Sequence, residues 1–563
     1  MTADYMQSRE VRRRRRGVWR YMRPLLFTIP IVAALLVVLA WLPLRQGRDA
    51  WIRGENARAI SIGERWLRFG LWPSHYHQLL AAAYLASGSD AAAAPHLGGI
   101  GSLRFPIIPK DELARRLFAR ERYDAFLSYD AASVESGESA DVPLYRTAAM
   151  VATNRIAEAQ KAFASIDKAR VDGKRYAALE RTIAARVSGT VPYVYDRNGG
   201  TVAVLRSHVA TAIDDDFRPL ISREAGQLTI GARQEQLGEN ATIETTLDPF
   251  VQKAAIKALT GFRGSLVAID PRTNEILAIA SNRGNGPLAN LAIEHQYEPG
   301  SVVKVLTGLN AEDGGLDLPS MFPYECKGSL DIDGRHFSDW VTAGHGTLRS
   351  IDDALAVSCN IFFADIGMRL GADRLKRFMT AAGFGSTADL GVLQVPLGKT
   401  IGPVNDRFES AFFAIGLEHE SMNALHIAML ASMMANRGVL TSPRLLVQRR
   451  SILGDVIAGG PRPPPSRLAS TAAAEALIRS MQAVVTDPKG TGRRALVPGI
   501  SLAMKTGTAG ERKSGLEAVI LAFAPVESPR IAFGMIAEDA GPAEFAGAKI
   551  AHDFLEAMQS RLK

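Results

Sequence analysis

Tyr297-Glu298-Pro299-Gly300-Ser301-Val302-Val303-Lys304 is the stretch on which the reading of this chain turns. Pro299 and Gly300 before Ser301, and Val302, Val303, Val305 and Leu306 after it, predict a helix that opens at Ser301 and ends near Gly314-Gly315. Lys304 then lies one turn on, on the same face, within reach of the serine oxygen. The positive end of the helix dipole favours a developing alkoxide at Ser301. A free lysine titrates at about 10.4 and is no base at neutral pH. Burial and a second nearby cation both push that value down, so a working base at Lys304 requires both.

Two further strings lie downstream, Ser358-Cys359-Asn360 and Lys505-Thr506-Gly507-Thr508. Lys505 supplies the second cation, and Ser358 is suited to pass a proton between Lys304 and a leaving group. The Lys505 string falls on a predicted strand. There Gly507 admits a substrate backbone, while Lys505, Thr506 and Thr508 can hold a terminal carboxylate. The backbone N–H groups of Ser301 and Thr508 form the expected oxyanion hole, and Asn360 is expected to bond a substrate amide. This kit fits acyl transfer through a serine ester. Decoys exist: a second S-x-x-K at Ser165–Lys168, expected mid-helix on a solvated face, and a second S-x-N at Ser421–Asn423. Order and context separate the working strings from these copies.

Outward from the strings, Ser265–Ile269 and Ile276–Ala280 flank the turn Pro271-Arg272-Thr273-Asn274 and predict a hairpin. Leu502–Thr508, Ala518–Phe523 and Ile531–Ile536 predict three more strands, followed by a helix over roughly Glu544–Arg561. Most of the intervening chain reads as helix. Strands from both ends of a domain around a helical insertion predict an α/β (α+β) fold with an antiparallel sheet covered by helices. Val191–Tyr195 and Thr201–Val204, around Asp196–Gly200, predict another hairpin within a small β-containing linker domain, 190–250. Residues 45–189 read as an all-helical stalk with breaks at Gly88, Gly98–Gly101 and Pro106–Pro109. Weak tetratricopeptide-like signals occur around Trp72–Gly88 and Leu144–Phe163. A docked protein partner and a plain spacer are both open for this stalk.

With those strings in place, residues 242–281, 293–310, 343–365 and 484–540 resemble the transpeptidase domain of penicillin-binding proteins. The likeness rests on Thr245-Thr246-Leu247-Asp248, Tyr297–Ser301, His345-Gly346, Ala356–Asn360, Gly490-Thr491-Gly492 and Lys505–Ala509. It implies a β-lactamase/transpeptidase-like domain over 251–563. It also implies a D,D-transpeptidase acylated by a D-Ala-D-Ala stem peptide of peptidoglycan, passing that peptide to a neighbouring amine, and inhibited by β-lactams. Catalytic Ser301, Lys304, Ser358, Asn360 and Lys505, and substrate-binding Thr506, Gly507 and Thr508, follow from the matched strings. Two positions depart from the family pattern: Met504 stands where glycine is common before Lys505, and Gly416-Leu417-Glu418 replaces Gly-Gln-Gly. A D,D-carboxypeptidase or β-lactamase-like hydrolase shares the same acyl-enzyme. A non-catalytic cell-wall scaffold is the alternative outside enzymes, although no reacting residue is lost.

Composition narrows the setting. The chain of 563 residues is 47% hydrophobic and carries a net charge of +8. Residues 1–45 hold nine arginines against Asp4 and Glu10, so 9 − 2 = +7 of that charge is terminal, which excludes a nucleic-acid surface on the folded part. The basic tail 1–23 precedes the uncharged stretch 24–44, long enough to cross a hydrocarbon layer of about 30 Å. Tyr21 and Trp41 sit at its two ends, where interfacial rings belong. Expected from this is a single transmembrane helix in the inner (cytoplasmic) membrane, N-terminus in the cytoplasm and catalytic domain in the periplasm, with a cleaved signal peptide as the rival. Cys326 and Cys359 are the only cysteines, expected as unpaired thiols. No C-x-x-C or H-E-x-x-H spacing predicts a metal, and no cofactor is expected.

Overall fold

The computed structural model describes residues 28–459, 464–511 and 515–563, apart from residues 33, 36, 37 and 40. They fall into two compact units. One ends at Val187 and is joined by Ser451–Ile457; the other comprises Ser188–Arg450 and Ala458–Lys563.

The second unit is built on a five-stranded sheet. Its strands are β1 (Arg263–Asp270), β2 (Glu275–Asn282), β3 (Ala503–Glu511), β4 (Gly515–Ala524) and β5 (Ile531–Glu538), in the order β3-β4-β5-β1-β2. Every neighbouring pair is antiparallel. The β1–β2 turn is closed by Asn274 at φ 54, a left-handed position that asparagine tolerates. Successive side chains of a strand point to opposite faces. On one face Gly534 leaves room for the wholly buried helix Ala424–Ala435, because a Cβ there would lie 2.4 Å from Ala424 O. On the other, Ile520 packs against Gly547 of the C-terminal helix Ala546–Leu562. Cover on both faces explains why β4 is an unbroken apolar run from Ala518 to Ala524. Strand β3 stays at the edge.

Between β2 and β3 lies the helical insertion, including α1 (Lys304–Asp313), α2 (Ile351–Ala356) and α3 (Asn360–Leu370). Ser350 caps α2 by accepting from Asp353 N, and Asp352 and Asp353 place negative charge on its first turn. A smaller sheet in the same unit holds Thr190–Tyr195, Thr201–Arg206, Val209–Ala212 and Thr242–Thr245. It extends beyond the linker stretch itself, since Leu446–Arg450 pairs antiparallel with Thr242–Thr245.

The first unit packs helices from Asn56–Leu67 to Gly173–Ser188 around a core that includes Trp51, Tyr76, Phe126, Tyr145, Ile452 and Leu453. Two details correct the all-helical expectation. Gly101–Leu103 pairs in parallel with Ser133–Glu135, because extended backbone next to the prolines must find partners for its N–H and C=O groups. Gly98 and Gly99 do not break a helix; both lie inside Asp90–Ile100, where Gly99 admits the His77 ring. Every described residue between 28 and 52 is helical, and Leu44, Ala50 and Trp51 anchor this segment in the core. Tail 1–23 and the beginning of the apolar stretch lie outside the described residues. Among the described residues no helix is long and apolar enough to cross a membrane.

Candidate active site

A 3-10 turn, Gly300–Val303, leads directly into α1 and carries half-buried Ser301. Lys304, on the first turn of α1, is fully buried. Its Nζ donates to Ser358 O at 2.7 Å and Asn360 Oδ1 at 2.5 Å, and lies 3.3 Å from Ser358 Oγ. Ser358 sits in the two-helix break between α2 and α3 with φ 58, a strained conformation for a serine. Such strain persists only where the surroundings hold it, and here both neighbouring helices and two lysines do so.

Lys505 arrives from the edge strand β3, also fully buried. Its Nζ donates to Ser358 Oγ at 2.9 Å and Thr506 O at 2.8 Å. Burial lowers Lys304 to about 8, against the opposing pull of Asp339. Burial, and then the charge of Lys304, hold Lys505 well below the ordinary lysine value. Two ammonium groups bonded to one hydroxyl in a dry pocket repel, so the pair favours a single shared charge.

Strand β3 meets the Ser301 turn backbone to backbone. A Cβ on Gly507 would lie 2.6 Å from Pro299 O and 3.2 Å from Val302 N; one on Gly300 would lie 2.7 Å from Thr508 O and 3.3 Å from Thr508 N. Only glycines allow this approach, which brings the Ser301 and Thr508 segments together. Thr506 Oγ1 bonds Thr491 Oγ1 at 2.7 Å, and Thr508 Oγ1 accepts from Ala543 N at 3.0 Å. A cavity of about 420 Å³ beside Thr491 is lined by Arg493, Arg494, Leu496 and Glu544. The structure therefore gathers Ser301, Lys304, Ser358, Asn360, Lys505, Thr506, Gly507 and Thr508 into one neighbourhood.

The decoys lie elsewhere in the fold. Ser165 ends its helix rather than sitting within it, bonding Ala162 O, and Asn423 caps Ala424–Ala435. Met504, the departure before Lys505, is buried against Gly492, on the face of β3 opposite to Lys505.

Behind α3 the fold assembles a group that spacing did not reveal. Cys326, Asp339, His345 and Cys359 each offer a ligand atom, all within 4.8 Å of one another, and can hold a metal ion. Two thiols, an imidazole and a carboxylate are a donor set that suits tetrahedral zinc. Both cysteines are free thiols, their sulfurs 3.1 Å apart. The Cys359 hydrogen bond draws Cys326 down to about 6, while the same bond and burial push Cys359 up. Burial opposes ionisation of Asp339, but the His345 bond and the Lys304 charge outweigh it and keep the carboxyl ionised. Asp339 Oδ2 also accepts from Asn360 N at 2.8 Å, tying this group to the start of α3. Asp339 belongs to no recognisable string, so the sequence offered no signal for it.

The comparisons agree with this architecture. Residues 264–559 match the family model described as the penicillin binding protein transpeptidase domain. Peptidoglycan D,D-transpeptidase PbpA of Mycolicibacterium smegmatis is 28% identical over 335 residues, 53% of this chain and 67% of that protein. Peptidoglycan D,D-transpeptidase MrdA of Acinetobacter baumannii is 27% identical over 342 residues, 52% of this chain and 50% of that one, so the chain spans half the latter's length. Penicillin-binding protein A of M. tuberculosis, solved as a ceftriaxone acyl-enzyme complex, superposes with a TM-score of 0.59 at 22% identity. That likeness covers 66% of this chain and 98% of the other and concerns the fold. A match across more than half of its length makes this chain a member of the penicillin-binding protein transpeptidase family.

Proposed function

We propose that the chain is a membrane-anchored, serine-type D,D-transpeptidase that crosslinks peptidoglycan stem peptides and is trapped by β-lactams. The observation that carries this reading is the convergence of two buried lysines on Ser358 Oγ, next to the turn that bears Ser301. Ser301 Oγ attacks the carbonyl of the penultimate D-alanine while its proton passes to Lys304. The tetrahedral oxyanion is held by the N–H groups of Ser301 and Thr508, single donors worth about 10²–10³ in rate. Ser358 relays the proton to the departing D-alanine amine, leaving an ester on Ser301. An amine from a neighbouring strand then attacks that ester and frees the serine.

Protonation follows from the contacts. A neutral Lys304 amine has two N–H bonds, which suffice for Ser358 O and Asn360 Oδ1 and leave its lone pair to accept a proton. A substrate carboxylate beside Lys505, Thr506 and Thr508 draws the shared charge to Lys505, so binding itself frees the base. The likeness to named D,D-transpeptidases supports the substrate class. The apolar, arginine-flanked N-terminal stretch supports the anchor and a periplasmic catalytic domain.

Labelling with a fluorescent penicillin, wild type against Ser301→Ala, tests the acyl-enzyme. A folded wild type that takes no label removes the reading. Product analysis with a donor stem peptide and an acceptor amine then separates crosslinking from hydrolysis.

A further inference from the structure

Exposed apolar side chains scattered singly are ordinary on a protein surface. In the helical unit most of them lie on the N-terminal segment and in the loops that carry Trp72 and Phe105. Residues Ile29, Ile31, Val32, Leu35, Val38, Leu39 and Leu42 of the N-terminal helical segment are exposed, whereas Leu44, Ala50 and Trp51 are buried in the core. Where the segment leaves the unit, the Trp41 and Trp72 rings lie 5.8 Å apart. Trp72 in turn meets His75 at 5.2 Å, and the His75 ring bonds Phe105 O at 3.0 Å. Phe69, 65% exposed, and Leu71 share the loop with Trp72, and Phe105 is 72% exposed.

Two further features argue against accident. Trp72 holds φ 55 immediately before Pro73, a costly backbone for a bulky residue that keeps it at the helix N-cap. Exposed Arg104 lies over the Phe105 ring at 5.8 Å, exposed Arg45 and Arg68 stand four residues from Trp41 and Trp72 in the chain, and among the described residues none of the three has a carboxylate within ion-pair distance. Aromatic rings with free arginines beside them are the makeup of a lipid-interface surface: rings at the acyl boundary, guanidinium groups on phosphates.

We propose that the tip formed by Phe69, Leu71, Trp72 and Phe105 docks into the interface of the bilayer entered by the N-terminal segment. The inference rests on the anchor reading above. It lays this face of the helical unit on the lipid, with the Trp41–Trp72 contact fixing the depth, instead of leaving the face for a protein partner.

Fluorescent nitrobenzoxadiazole probes on single added cysteines test it in the full-length protein. The native thiols are buried, and labelled wild type gives the background. Leu71→Cys and Phe105→Cys report the tip, Leu35→Cys the anchor, and Lys161→Cys an exposed position on another helix. The protein is placed in phosphatidylcholine–phosphatidylglycerol vesicles with and without bromines on the acyl chains. Expected is quenching at Leu71 and Phe105 about twofold or more above Lys161, with Leu35 quenched most deeply. Quenching at Leu35 but not at Leu71 or Phe105 overturns the docking alone and hands the tip to a protein partner. No quenching at Leu35 overturns the anchor reading and the docking with it.

Discussion

Lys304 and Lys505 place their Nζ atoms 3.3 and 2.9 Å from one oxygen, Ser358 Oγ, although they come from a helix and a strand about 200 residues apart in the sequence. A dry pocket does not keep both charged. Lys304 titrates at about 8, held down by burial. In the proposed mechanism the base is the neutral form, so the acylation rate with penicillin is expected to climb with pH, about tenfold per unit below 8, then level off. Stopped-flow acylation from pH 6 to 9 measures it. A flat profile would mean that no group of this pair accepts the serine proton. Lys304→Ala is expected to lose at least about a hundredfold in the same assay.

Gly507 offers a test that leaves every reacting group in place. In Gly507→Ala the new methyl would lie 2.6 Å from Pro299 O, a backbone atom that cannot swing aside. Overpacking of this kind costs about 1–3 kcal/mol and here must shift either β3 or the Ser301 turn. The expected result is a melting temperature lowered by a few degrees with acylation slowed far more, about a hundredfold, because the proposed oxyanion donors move apart. Wild-type acylation in a folded Gly507→Ala protein would show that the close approach of the two backbones is immaterial to the reaction.

How much of this was legible follows from how local each signal is. The Ser301–Lys304 spacing, the β1–β2 turn and the strands around Lys505 depend on neighbours a few residues away, and the structure places them as the periodicity predicts. Gly98 and Gly99 were misread because propensity is a weak prior, and packing of His77 against Gly99 overrides it. The left-handed Ser358 and the Thr491–Thr506 bond arise from helices and strands that meet only in the folded chain. Cys326, the loop that carries Asp339 and His345, and Cys359 meet only in the folded chain, and their spacing matches no metal motif.

That donor group carries its own prediction. Purified from zinc-containing medium, the full-length protein is expected to hold about one zinc per chain by mass spectrometry of the metal. His345→Ala and Cys359→Ser are expected to lower that content by more than half. Because Asp339 bonds the Asn360 amide, loss of the ion is also expected to loosen the start of α3 and slow acylation. A metal-free wild type that acylates at full rate would leave the four residues as a plain hydrogen-bonded cluster.

His426 gives the fold a defined acid limit. Its ring is fully buried: Nδ1 accepts from Gly398 N at 3.0 Å, and Nε2 faces Ala382 O at 2.9 Å, as the neutral Nε2–H tautomer requires. Burial lowers its pKa to about 4, against 6.5 for an imidazole in water. The unfolded chain therefore binds this proton more readily than the native one. Stability is intact above pH 6.5 and declines as pH falls toward 4, by about 3 kcal/mol in all. Denaturant unfolding at pH 7, 5.5 and 4.5 measures the slope, with His426→Gln as reference. The variant begins less stable, since glutamine fits neither bond as well, but its stability is expected to fall less steeply over this window. Parallel slopes for the two proteins would assign the acid sensitivity to the carboxylates instead.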